Sequence, residues 1–126
     1  MNLMNTPHAI ILFAHGSRDP LWHLPIEAVK TQLTQHAPDT RVACAYFELS
    51  TPDLPTAAQR LIEAGADSVS IVPLFLGVGK HAREDLPQLV ADLRTRYPHI
   101  TFHLQKAVGE DARLIALLAT IAQENV

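Results

Sequence analysis

Two short stretches of the sequence set an imidazole among cations at the end of an apolar run. AIILFAHGSRD, Ala9 to Asp19, closes on His15, Gly16, Ser17 and Arg18. VPLFLGVGKHARED, Val72 to Asp85, passes Gly77 and Gly79 before Lys80, His81 and Arg83. A carboxylate, Glu48, follows a third apolar run. Neutral imidazole, whose ordinary pKa is about 6.5, serves near neutral pH both as a metal ligand and as a proton acceptor. Two imidazoles with one carboxylate suit Co²⁺, Fe²⁺, Ni²⁺ or Zn²⁺, and the lack of thiolates argues against a closed structural zinc site. Arg18, Lys80 and Arg83 add a cationic rim suited to a polycarboxylate or a phosphate. Each residue also has a plain structural role open to it. A histidine can cap a strand end, Glu48 can pair with an arginine, and Gly77 and Gly79 can supply a turn with positive φ. Only a shared location gives them joint meaning.

That location depends on the elements between them. Ala9–Ala14, Val42–Phe47, Ser68–Phe75 and Ile100–Leu104 are short, continuous and partly β-branched, as strands buried on both faces are. Helical spacing begins at Ile26, Val29 and Leu33 and ends near His36–Pro38, after an irregular turn at Pro20–Leu24. A second helix is expected from a Ser50 or Thr51 cap with Pro52 in its first position, ending at Gly65. Asp85-Leu86-Pro87-Gln88 reads as the start of a third helix running to Arg96, and a fourth spans Glu110–Gln123. Strict β-α alternation with short connections predicts an α/β domain with a parallel sheet and helices on both faces. The long connection is Leu76–Glu84, which a compact domain keeps for function. For a strand order of 2-1-3-4, ligands bind beyond the carboxyl ends of strands one and three. His15–Arg18, Gly77–Arg83 and Glu48 then meet on one rim. Among the other histidines, His23 is a weak pocket candidate, His8, His36 and His99 are expected at solvated boundaries, and His103 in the fourth strand.

The whole chain narrows the field of functions. Its 126 residues allow one domain with a proper core. A net charge of −3, without RNP-like aromatics or zinc-finger spacings, gives no support to nucleic-acid binding. The single Cys44 excludes an intrachain disulfide and any CxxC site, and it reads as a small core residue. No segment reaches the roughly 18 apolar residues of a membrane span, and MNLMNTPHAII lacks the features of a signal peptide, so a cytoplasmic protein is expected. GxGxxG and GxxxxGK[ST] are both absent, and the arginine of His15-Gly16-Ser17-Arg18 is on the wrong side for a histidine phosphatase.

Three motifs in order complete the picture. His15-Gly16-Ser17-Arg18, then Tyr46-Phe47-Glu48-Leu49 with Pro52, then Val72-Pro73-Leu74-Phe75-Leu76 through Gly79 and His81 to Asp85-Leu86-Pro87 together resemble the short-form CbiX-type sirohydrochlorin chelatases. The resemblance runs over nearly the whole chain, and His15, Glu48 and His81 fall at equal intervals, as the family's site does. It implies a chelatase-like, flavodoxin-like three-layer αβα fold with a four-stranded parallel sheet. It implies insertion of a divalent metal, Co²⁺ first and alternatively Fe²⁺ or Ni²⁺, into sirohydrochlorin for cobalamin or sirohaem. The metal is a co-substrate, and no permanent cofactor is expected.

Carried over onto this sequence, the family's site gives His15, His81 and Glu48 as catalytic and metal-binding residues. Ser17, Arg18, Gly77, Gly79, Lys80 and Arg83 are expected to hold the substrate's carboxylates. Residues 1–126 correspond to one half-size unit, which the resemblance expects to pair into a homodimer, with no nucleic-acid or membrane partner. The sequence ends at Val126 without a histidine-rich tail or an iron–sulfur segment, so no metal store or redox centre is expected. A protein that carries a tetrapyrrole or metal without catalysis would use the same rim, and a phosphate-ester hydrolase with His15 as nucleophile is the third reading.

Overall fold

The computed structural model describes residues 8–124. The MNLMNTP stretch, read above as no signal peptide, lies outside them, as do residues 125 and 126. Four parallel strands, β1 (His8–Ala14), β2 (Arg41–Tyr46), β3 (Ser68–Pro73) and β4 (Thr101–Leu104), form one sheet in the order β2-β1-β3-β4. This is the expected 2-1-3-4 order. Helices α1 (Leu24–His36), α2 (Leu54–Glu63), α3 (Lys80–Arg96) and α4 (Ala112–Glu124) alternate with the strands. Among the described residues no helix is long and apolar enough to cross a membrane.

The larger core lies between the sheet and α2 and α3, where Ile11, Phe13, Leu54, Val69, Ile71 and Val90 are fully buried. The other face packs Leu12, Ala14, Cys44 and Tyr46 against Ile26 and Leu33 of α1. Continuous apolar strands are thus explained by helices on both sides. Helix α4 differs, because Leu114 alone among its residues is even partly buried.

Register sets the level of the rim. Ala14 pairs with Tyr46, and Phe13 with Pro73, so β1, β2 and β3 stop at nearly the same level. Backbone bonds continue one step further, from Phe47 N–H to the Ala14 carbonyl (2.8 Å) and from Leu74 N–H to the Phe13 carbonyl (2.7 Å). The loops carrying His15, Glu48 and Leu76 leave from that shared edge.

Several boundaries differ from the sequence reading. The turn at Pro20–His23 is a 3₁₀ helix opened by Asp19, whose carboxylate accepts from Leu21 N–H. Helix α2 is capped by Asp53, accepting from Thr56 N–H at 2.9 Å, and Pro55 occupies its first turn, where a missing N–H is harmless. Its end is as expected, with Gly65 at φ +107° beyond Glu63.

The largest shift is α3, which starts at Lys80 rather than Asp85 and carries Pro87 inside it. Ala82, Leu86, Val90 and Leu93 form its buried stripe, and burial of Ala82 draws the helix a turn ahead of the proline. Lys80, His81 and Arg83 therefore stand on a helix N-terminus and not on a loop. Neither Gly77 nor Gly79 adopts positive φ, and both face open space. Gly79 is instead the extended N-cap of α3 at φ −70°.

Candidate functional site

His15 is the first residue beyond β1, and alternation along the strand puts it on the same face as Phe13. Its ring stacks on Phe75 with centroids 4.6 Å apart and lies 5.9 Å from Phe47. Phe13 in turn contacts Phe47 and Phe75 at 5.6 and 6.0 Å. Three aromatic rings thus form a floor beneath one half-exposed imidazole.

Glu48, one residue past Phe47, brings its carboxylate to His15 Nδ1 at 3.1 and 3.3 Å. A carboxylate only accepts, so Nδ1 carries the hydrogen and the Nε2 lone pair is left free. The same Oε1 accepts from Gly16 N–H at 3.3 Å. A side chain at position 16 is impossible without rearrangement, since a Cβ there would sit 1.8 Å from the Glu48 carbonyl oxygen. The two loops are interlocked at that glycine.

A second layer holds the loops in place. Ser50 Oγ accepts from Ser17 N–H and donates to the Ser17 carbonyl, both at 2.9 Å. Its hydrogen is then spent, so His23 Nε2 donates to it at 3.0 Å, while the His23 ring lies 4.6 Å from Tyr46. Trp22 Nε1 donates to the His15 carbonyl at 2.8 Å. Ser17 Oγ accepts from Asp19 N–H. Ser17 is therefore engaged in bracing the loop.

The structure thus joins His15 and Glu48 directly. His81 stands exposed on the first turn of α3, with no hydrogen bond, ion pair or ring contact to either of them. No group of three His, Cys, Asp or Glu side chains able to hold a metal ion occurs among the described residues. Arg83 turns its guanidinium back to the Val78 carbonyl at 3.1 Å. Arg18 and Lys80 are exposed and outside any ion pair among the described residues.

The sequence reading missed Phe75, Trp22 and Ser50 as parts of the site and left His23 a weak candidate. For Phe75 a signal existed, since Phe13, Phe47 and Phe75 each occupy the last turns of the same three apolar runs. His8 stands at the boundary expected of it, as the first residue of β1, but it is half-buried rather than solvated. It lies in β1, with Nδ1 at 3.0 Å from Ser68 Oγ and Nε2 at 3.3 Å from Ser70 Oγ. Beneath the rim, burial pushes the Cys44 thiol up to about 11 and the Tyr46 hydroxyl up to about 12.

A model of the CbiX family matches residues 9–125. The chain belongs to the CbiX family. Among its CbiX-type relatives, the sirohydrochlorin cobaltochelatase of Sulfolobus acidocaldarius is 27% identical, over 91% of this chain and 89% of its own length. The sirohydrochlorin ferrochelatase of Bacillus subtilis is 26% identical over 85% of this chain, but this chain spans only 41% of that longer protein. Among solved structures, the cobalamin biosynthesis CbiX protein of Marinobacter aquaeolei VT8 matches with a TM-score of 0.82 and 33% identity, covering 94% of this chain and 97% of that one. The sirohydrochlorin chelatase SirB of Bacillus subtilis subspecies spizizenii, in complex with cobalt, matches with a TM-score of 0.78 and 26% identity over 93% of this CbiX chain and 50% of its own.

Proposed function

We propose that this CbiX-family chain is a cytoplasmic sirohydrochlorin chelatase that inserts Co²⁺ into the macrocycle, with His15, Glu48 and His81 as its working side chains. The observation that carries the proposal is the His15–Glu48 pair at 3.1 Å on the carboxyl edge of the sheet, in a chain of this family. Entry of a divalent ion displaces two pyrrole protons, so the ring's charge balance requires a base. His15 Nε2 accepts the two protons one after the other, releasing each to solvent from its exposed side, while Glu48 holds the imidazole in the required tautomer and stabilises the imidazolium that forms each time. Phe75 fixes the ring from below and excludes water from that side. His81 acts as the second metal-guiding group from α3. Arg18 and Lys80 receive the substrate's carboxylates, and the backbone of the Gly77–Gly79 segment lines the approach.

Such a chain works as a homodimer of half-size units. Ile115, Leu117 and Leu118 of α4 are exposed, and a groove of about 580 Å³ between α1 and α4 is lined by Val29, Leu74, Leu114 and Leu117 among others. An apolar helix with no buried residue is suited to a self-complementary contact. Leu117→Glu is expected to yield a monomer in sedimentation analysis.

The deciding experiment mixes purified protein with sirohydrochlorin and Co²⁺, Fe²⁺ or Ni²⁺ separately and follows the absorption change. A rate above the protein-free control, greatest with Co²⁺, is expected. A rate equal to the control for every metal would remove the chelatase assignment and leave a carrier of tetrapyrrole or metal.

A further inference from the structure

Large apolar side chains stand in solvent at the carboxyl ends of three adjoining strands. After β1 comes Trp22, 48% exposed; after β2 comes Leu49, 60% exposed; after β3 comes Leu76, 67% exposed. All three are tied to His15. Trp22 bonds its carbonyl, Leu49 follows the Glu48 that bonds its ring, and Leu76 follows the Phe75 on which that ring stacks.

Two of these positions are held at a conformational cost or by tight packing. Leu49 adopts φ +64°, a left-handed conformation that leucine seldom takes, yet its side chain is not buried in return. Leu76 is clamped through its backbone. A Cβ on Gly109 would lie 1.7 Å from the Leu76 carbonyl oxygen, and Gly109 N–H donates to the Phe75 carbonyl at 3.0 Å. Arg18 lies on the first of the same loops and Lys80 beyond the third, both unpaired among the described residues.

We infer that Trp22, Leu49 and Leu76 form an apolar seat around His15 for the flat face of a tetrapyrrole, whose peripheral carboxylates reach outward to Arg18 and Lys80. The inference rests on the chelatase reading and specifies how its substrate is held. A broad apolar disc with charged margins matches an apolar centre with a cationic edge, which is the complementarity that selects this occupant over an apolar protein surface. Seating the disc there brings its central nitrogens over the ring that accepts their protons.

The chain's only tryptophan is Trp22, so its fluorescence reports directly on the seat. Titration of the full chain with metal-free sirohydrochlorin is expected to quench that emission saturably. Leu49→Asn, which tolerates the left-handed backbone, and Leu76→Ser are each expected to raise the dissociation constant roughly tenfold. Their kcat for metal insertion should change far less than KM. Thermal melts of both variants report that they fold. Trp22→Ser, followed by ultrafiltration, should bind roughly tenfold more weakly than the parent or worse.

Insertion at the parental rate without quenching, or with affinity unchanged in both leucine variants, overturns the seat and leaves the chelatase reading standing. Sedimentation showing that the leucine variants lose an oligomer at unchanged tetrapyrrole affinity overturns it in favour of a protein interface. A parent protein that neither binds sirohydrochlorin nor speeds insertion overturns both readings.

Discussion

Gly16→Ala is the most informative single change, because its effect follows from one distance. The new Cβ would lie 1.8 Å from the Glu48 carbonyl oxygen, 2.7 Å from Ser50 Oγ and 3.0 Å from the Glu48 carbonyl carbon. Restoring an ordinary contact requires the two loops to part by roughly 1.5 Å. A shift of that size carries the Glu48 carboxylate, now 3.1 Å from His15 Nδ1, out of hydrogen-bond reach. Misplacement of about 1 Å in a working group costs on the order of 10²-fold in rate. Overpacking costs about 1–3 kcal/mol of stability, which lowers Tm by about 4–12 °C in a domain of this size. The assay is cobalt insertion into sirohydrochlorin at a temperature well below both melting points. Gly65→Ala is the control. Its Cβ meets nothing within 4 Å, but φ +107° makes it strained, so it should lower Tm and leave the rate intact. A Gly16→Ala protein with the parental rate would refute the claim that this interlock positions the pair.

The other expectations follow from the same geometry. His15→Ala should lower insertion by about 10²- to 10⁴-fold with Tm nearly unchanged, and Glu48→Gln by about 10- to 100-fold, both read from initial rates against the protein-free control. Asp53→Ala removes the cap of α2 and should cost about 1 kcal/mol in urea unfolding. The hydrogen bond from Thr56 holds the Asp53 carboxyl below its usual range, so that contribution is present above the unfolded pKa near 3.8 and fades as pH falls through the folded value. The Cys44 thiol is raised from 9.0 to about 11, so between those values the unfolded chain releases a proton that the folded chain keeps. Stability therefore falls as pH rises through that window, and Cys44→Ala should flatten the fall in urea titrations at pH 8 and 10.5.

Much of this arrangement could be read from residue order, and the parts that could not have physical reasons. Apolar runs bounded by helical periods specify a parallel sheet, and its register then forces His15 and Glu48 onto one edge. What failed were judgements about proline. Pro87 suggested a helix beginning beside it, but burial of Ala82 extends α3 one turn earlier, and this moves Lys80, His81 and Arg83 from a loop onto a helix. Pro52 likewise suggested a helix start that belongs to Asp53 and Leu54. Ring contacts such as His15 on Phe75 join residues far apart in the chain, so they show only when the ends of the three apolar runs are set side by side. The hydrogen bonds of Ser50 to Ser17 and His23 are of the same kind.

Leu49 has a meaning beyond the site itself. A leucine in the left-handed region costs on the order of 1–3 kcal/mol, a sizeable share of the roughly 5–15 kcal/mol that holds a typical domain together. Glycine or asparagine at this position would relieve the backbone at a side chain that is 60% exposed. Engineering aimed at thermostability alone would therefore choose to replace this residue early, and would remove part of the tetrapyrrole's seat in doing so. Position 49 is where robustness and activity pull the sequence in opposite directions.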